Sequence, residues 1–263
     1  MNDNNFDYEI ISDGSFYLDA GAYFGVVPKA IWKSHFSDED NMVKLSTNVI
    51  FLDFGDYSAL IDSGLGNSFD EKTKKIYRIS KESDIFEYIK RKHDPDSVRM
   101  IVNSHLHFDH TGHNLDFHNA FTYAQKDEFM AIRYKNPVTR SNYWLKIGDI
   151  KNRAMIDGSK RISRNIRVIK TGGHSAGHQA ILIDGGSVRI MYFGDILPST
   201  FHLKLPYRTA IDIDPLRTVK LKEALVKKAI RDHYLCVFDH DATVKSAYLS
   251  GDYSNPKFEA VDL

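Results

Sequence analysis

The chain has 263 residues, 42% of them apolar and 27% charged, which fits an ordinary globular protein. Lys plus Arg equals Asp plus Glu, 35 against 35, so no basic field exists to draw nucleic acid. A single cysteine, Cys236, excludes an internal disulfide framework, and no apolar run approaches the roughly 18 residues a membrane span needs. With the polar N-terminus Met1-Asn2-Asp3-Asn4-Asn5 and no apolar signal core after it, these features predict a cytoplasmic protein without nucleic-acid or membrane partners.

In chain order, residues 8–20 read as a weak strand and 21–28 as a glycine-punctuated aromatic loop. Lys29 to Phe36 suits a short helix carrying Trp32. Asn48–Leu52 and Ser58–Ile61 are two strands around the turn Gly55-Asp56, the second ending at Asp62-Ser63-Gly64-Leu65-Gly66. Ser83 to Lys92 is a modest helix stopped by Pro95. Arg99–Val102 is a buried strand, and Ala120–Ala124 another. Residues 125–160 are polar, helical in places and aromatic-bearing; they suit a lid, a subunit contact in a homodimer, or packing on their own domain. Strands resume at Ile166–Ile169, Ala180–Ile183 and Val188–Phe193, the last two joined by the turn Asp184-Gly185-Gly186. Residues 198–214 are irregular. Asp214 as N-cap and Pro215 as first helical residue open the clearest helix, with Leu216, Val219, Ala224, Leu225 and Ala229 inward and lysines outward. Leu235–Phe238 is a strand containing Cys236, a buried inert thiol.

The chemistry concentrates after Val102. His105, His107, Asp109 and His110 place four metal-binding side chains within six residues. On a continuing strand His105, His107 and Asp109 share a face, whereas a helix would splay i and i+2 by about 200°, so the expected backbone is a strand ending at the histidines and running into a tight loop. Three more candidates each follow a strand: His174 in a Gly-rich turn, Asp195 after Gly194, and His240 between Asp239 and Asp241. Strand ends are where layered α/β proteins gather their sites. His178 reads as structural, His113 and His118 as flanking a helix, and His35, His93 and His233 as surface residues.

Together these motifs resemble the metallo-β-lactamase superfamily. The pattern H-x-H-x-D-H stands at His105, His107, Asp109 and His110, followed by His174, Gly194-Asp195 and His240; Asp62 in Ile61-Asp62-Ser63-Gly64 matches the early D-T-G-like turn. The resemblance spans Ile50 to His240. It implies an α/β fold, a four-layer αββα sandwich forming one domain over 1–263, with the insertion at about 125–160. It further implies two divalent ions, zinc by preference with iron or manganese as alternatives. His105, His107 and His174 would hold one and Asp109, His110 and His240 the other, with Asp195 between them and Asp62 behind. The chemistry implied is hydrolysis by a hydroxide generated at the metals, Asp109 carrying the catalytic proton.

The stretches Gly25–Lys29 and Gly194–Pro215 resemble the quorum-quenching N-acyl-homoserine lactonase-like branch, so the expected substrate is a small lactone or ester. One departure stands out. Those lactonases carry a Tyr three residues after the bridging Asp, where this chain has Pro198. Tyr207, His202 and Tyr23 are candidates to replace it, and Phe24, Trp32, His202 and Tyr207 to contact substrate. Rival readings are an organophosphate or aryl-ester hydrolase on the same metals, a flavodiiron-like oxidoreductase, and a non-catalytic metal-binding module. His107, where flavodiiron proteins place Glu, argues against the oxidoreductase.

Overall fold

The computed structural model describes residues 6–36, 40–185 and 187–261. The N-terminal pentapeptide and the turn residue Gly186 lie outside the described residues. Strands β1 (Asp7–Asp19), β2 (Met42–Asp53), β3 (Ser58–Ile61), β4 (Val98–Val102), β5 (Phe121–Gln125) and β6 (Arg153–Ile156) form one sheet in that order. The second sheet runs β7 (Lys160–Arg161), β8 (Ile166–Lys170), β9 (Gln179–Asp184), β10 (Arg189–Tyr192), β11 (Leu235–Val237), β12 (Ser246–Ser250) and β13 (Lys257–Ala260). Both sheets mix parallel and antiparallel pairs. Helices are α1 (Ala20–Phe24), α2 (Lys29–Trp32), α3 (Glu71–Tyr77), α4 (Ile85–Lys92), α5 (Lys126–Tyr134) and α6 (Pro215–Arg231).

Strand periodicity explains the layering. Ile50 and Leu52 of β2 meet Ile181 and Ile183 of β9 in a core between the sheets. The alternate residues Val49 and Phe51 pack outward beneath Ile85 and Ile89 of α4. On the other side, Ala180 and Leu182 lie beneath Leu225, Val226 and Ala229 of α6. Both faces of each sheet are covered, so the strands read as continuous apolar runs rather than alternating ones. The result is the expected four-layer αββα sandwich.

Helix α6 opens as expected, with the Asp214 carboxylate accepting from Arg217 N–H and Pro215 at the first turn. Its lysines do not all face outward. Lys222 is fully buried and donates to the carbonyls of His202 (3.0 Å), Lys204 (3.1 Å) and Tyr207, pinning the 199–207 segment to the helix. Burial lowers its amine to about 7. Residues 113–118 form turns and no helix. Insertion residues pack on the same body: Phe129 and Ile132 of α5 join Leu106 and Ile150 in a small core, and β6 extends the first sheet. Among the described residues, no helix is long and apolar enough to cross a membrane.

Candidate metal centre

As expected, the strand ends before the histidines and gives way to a tight loop. β4 ends at Val102, and residues 103–112 are loop and turn. Asp62 is what ends it. Its Oδ1 accepts Ser104 N–H at 2.7 Å, and its Oδ2 accepts the Ser104 hydroxyl at 2.7 Å and His110 Nδ1–H at 2.8 Å. The ligand loop is therefore wound around one buried carboxylate, and the shared strand face is replaced by convergence within the loop. The Asp62–Gly66 turn crosses this loop at van der Waals distance. A Cβ on Gly66 (φ +68°) would meet the Gly112 carbonyl oxygen at 2.3 Å, so only glycine fits there.

The distant side chains arrive as the topology dictates. β10 and β11 are parallel neighbours, so their C-terminal ends set Asp195 beside Asp239 and His240. His174 comes from the Gly-rich turn between β8 and β9. Two clusters result, one of His105, His107, His174 and Asp195, the other of His110, His240, Asp195 and Asp239. Asp195 belongs to both. Its Oδ2 lies 3.1 Å from His174 Nε2 and 3.9 Å from His105 Nε2. Its Oδ1 lies 3.1 Å from His110 Nε2 and 3.2 Å from His240 Nε2. Asp109 stands at the second cluster, its Oδ2 3.4 Å from His240 Nε2 and 3.8 Å from His110 Nε2.

Outer partners fix which nitrogen faces inward. His105 Nδ1–H donates to Ser104 Oγ (3.0 Å), His110 Nδ1–H to Asp62, His174 Nδ1–H to Asp212 Oδ1 (3.0 Å) and His240 Nδ1–H to the Ser46 carbonyl (2.8 Å). Each of these four rings is left with its Nε2 aimed at the centre, the arrangement that orients metal-bound histidines. His107 differs: its Nδ1 faces inward, 3.1 Å from His174 Nε2. Buried polar atoms are nearly always hydrogen-bonded, yet His105 Nε2, His110 Nε2, Asp195 Oδ1 and Asp239 Oδ2 have no hydrogen-bond partner. Unpartnered imidazole nitrogens and carboxylate oxygens facing one another fit divalent cations, which take the place of protons there.

Electrostatics divide the rings by the carboxylates they face: burial opposes charge on His174 in the first cluster, but Asp195 and Asp212 raise it. Burial, then the neighbouring imidazoles, push His105 and His107 well below the ordinary histidine value. Burial also opposes charge on His240, but Asp239, Asp195 and Asp109 outweigh it and raise the ring to about 10. Burial works against the Asp195 carboxylate too, yet His174, His110 and His240 hold it well below the usual range.

A cavity of about 60 Å³ reaches His107, Asp109, Asp195 and His240, with Phe16, Leu18, Leu45, Tyr77, Phe108 and Ile211 as apolar walls. Tyr23 lines it as well, its buried hydroxyl without a hydrogen bond. A wider groove of about 870 Å³ shares His107, Asn142 and Ile211 with this cavity and also reaches His174; Met130, Tyr134 and Val138 of the insertion wall it.

The structure sets the four expected substrate contacts back from these walls. Phe24 stacks on Trp32 at 4.8 Å behind Tyr23, both buried. His202 is fully buried, donating from Nε2 to the Tyr23 carbonyl (3.0 Å) and accepting from the Ser199 hydroxyl at Nδ1 (2.8 Å). Tyr207 lines a separate cavity of about 620 Å³ that meets none of the seven expected ligands. Pro198 gives its carbonyl to His240 N–H at 3.0 Å. His178 lies beside His105, ring centroids 5.2 Å apart, outside both clusters.

Several participants left little trace in the sequence. Asp212 resembles the helix cap Asp214 two residues on. Glu128 sits in a polar helical stretch, yet it is fully buried. It accepts from Leu106 N–H (2.9 Å), Gly177 N–H (2.8 Å), Ser175 Oγ (2.7 Å) and Tyr143 Oη (3.3 Å), tying two ligand loops together.

Residues 42–240 match the metallo-beta-lactamase superfamily. An N-acyl homoserine lactonase from Bacillus thuringiensis subsp. kurstaki, AiiA, is 27% identical over 191 residues, covering 70% of this chain and 72% of the relative. The structure of a probable metal-dependent hydrolase from Staphylococcus aureus superposes with TM-score 0.89 at 27% identity, covering 100% of this chain and 99% of that one. AidC, described as a dizinc quorum-quenching lactonase, shares the fold with TM-score 0.78 at 15% identity, over 99% of this chain and 96% of its own. The seven converging side chains and the match over residues 42–240 agree: this chain belongs to the metallo-beta-lactamase superfamily and is a metal-dependent hydrolase.

Proposed function

We propose that this protein is a dinuclear metal-dependent hydrolase that opens the ring of N-acyl-homoserine lactones. The observation that carries the two-ion scheme is Asp195, whose two oxygens face two separate imidazole clusters. Lactone as substrate is supported by the relatives named N-acyl homoserine lactonase and by a small apolar-walled cavity at the metals that meets a wide groove, suited to a compact ring with an acyl tail.

Two divalent ions bound there would lower the pKa of a shared water and polarise the lactone carbonyl. The chain's own residues do the rest. Asp109 lines the cavity and is positioned to take a proton from the attacking water and return it to the ring oxygen as that bond breaks. Tyr23 offers an unpartnered phenol on the same wall, a donor for the carbonyl oxygen where Pro198 has none. Phe16, Leu45 and Phe108 exclude bulk water around the reacting carbonyl.

The organophosphate or aryl-ester reading remains the rival, since it would use the same side chains. Zinc is the metal proposed, with iron and manganese as alternatives. Hydrolysis of a homoserine lactone, an aryl ester and a phosphotriester should be compared on one metal-loaded preparation. The lactone should be turned over with the highest kcat/KM; a phosphotriester preferred by tenfold or more would replace this assignment.

A further inference from the structure

Asp239 has no part in the ligand pattern expected from sequence, yet it occupies the second cluster. It lies two residues past the end of β11 and is fully buried. Its Oδ1 accepts the His240 N–H at 3.1 Å, which fixes the side chain. Its Oδ2 has no hydrogen-bond partner, and a carboxylate oxygen of Asp239 lies within 4.8 Å of ligand atoms of His110, Asp195 and His240. Nothing on the protein side satisfies that oxygen. We propose that Asp239 Oδ2 is an additional ligand of the ion held by His110 and His240.

The consequence is an asymmetric pair. The position of His105, His107 and His174 has three imidazoles and shares one carboxylate. The position of His110 and His240 has two imidazoles facing Asp109, Asp195 and Asp239. Carboxylate-rich sets suit harder cations such as Mn²⁺, imidazole-rich sets zinc. Asp239 thus biases the second position toward the harder metal. This inference rests on the two-ion reading above.

The test is Mn²⁺ binding to chelator-stripped protein, followed by electron paramagnetic resonance, for the unaltered chain and Asp239→Asn. Asparagine keeps the Oδ1 contact to His240 N–H. The unaltered chain should bind two equivalents, and the variant should lose at least tenfold in affinity for one of them with the other unchanged. Two equivalents bound equally well by both proteins would overturn the role of Asp239 while leaving the two-ion scheme intact. A single equivalent in the unaltered chain would overturn both. Should the variant fail to fold, a crystal structure of the Mn²⁺-loaded unaltered chain decides: Oδ2 at about 2.2 Å from the ion supports the proposal, and beyond about 3 Å overturns it.

Discussion

Asp212 and Asp62 show how much of the centre is held from behind. Each takes the outward Nδ1–H of a histidine and so commits the other nitrogen to the ion. Replacing such a partner typically costs 10–100-fold in metal affinity. Asp212→Ala should lower affinity at the His105–His107–His174 position by about that factor, measured by competition with a chromogenic chelator; unchanged affinity would mean His174 needs no support. His113 illustrates a different kind of buried histidine, held between Asp116 (2.6 Å) and Asp13 (3.1 Å). Burial opposes its charge, but Asp116 and Asp13 raise it from 6.5 to about 9. A folded value above the unfolded one stabilises fully below pH 6.5 and is lost as pH rises through about 9. The loss is on the order of 3 kcal/mol. Urea midpoints of the unaltered chain and His113→Asn should therefore converge between pH 6 and pH 9.5; a constant gap would show that His113 is neutral throughout.

Among the elements, the ligand loops are the least regular and the most tightly braced. Glu128 on α5 holds the 104–112 loop through Leu106 and the 171–178 turn through Ser175 and Gly177. Glu128→Ala would leave those donors buried and unpaired at about 1–3 kcal/mol each, so thermal unfolding should show a loss of about 3 kcal/mol or more. A loss below about 1 kcal/mol would mean the loops stand without it. At this scale the sequence was partly legible. The apolar runs of β2, β8, β9, β10 and β11 were plain because both faces of each sheet are buried. β13 is exposed along its length, and β6 and β7 are largely exposed edge segments, so neither carried a hydrophobic signal. The end of β4 and the tight loop after it are legible from the apolar run and the ligand spacing; the Asp62 contacts that bend the loop come from a residue 42 positions before Ser104 and have no local mark. The wall of the cavity at the centre has no local mark for the same reason: Phe16, Leu18 and Leu45 lie on β1 and β2, far from any motif.

For the molecule as a whole, two sheets packed face to face bring strand ends from both halves to one rim. The loop after β4 brings His105, His107, Asp109 and His110 from the first sheet, the side chains expected to hold metal, and β8, β10 and β11 bring His174, Asp195 and His240 from the second. Asp195 stands where the two sets meet. The most direct test of the account is the number of metal ions bound per chain, by elemental analysis, in the unaltered protein and in Asp195→Ala. Two ions in the former and no more than one in the latter are expected; two ions retained without Asp195 would contradict a bridged pair.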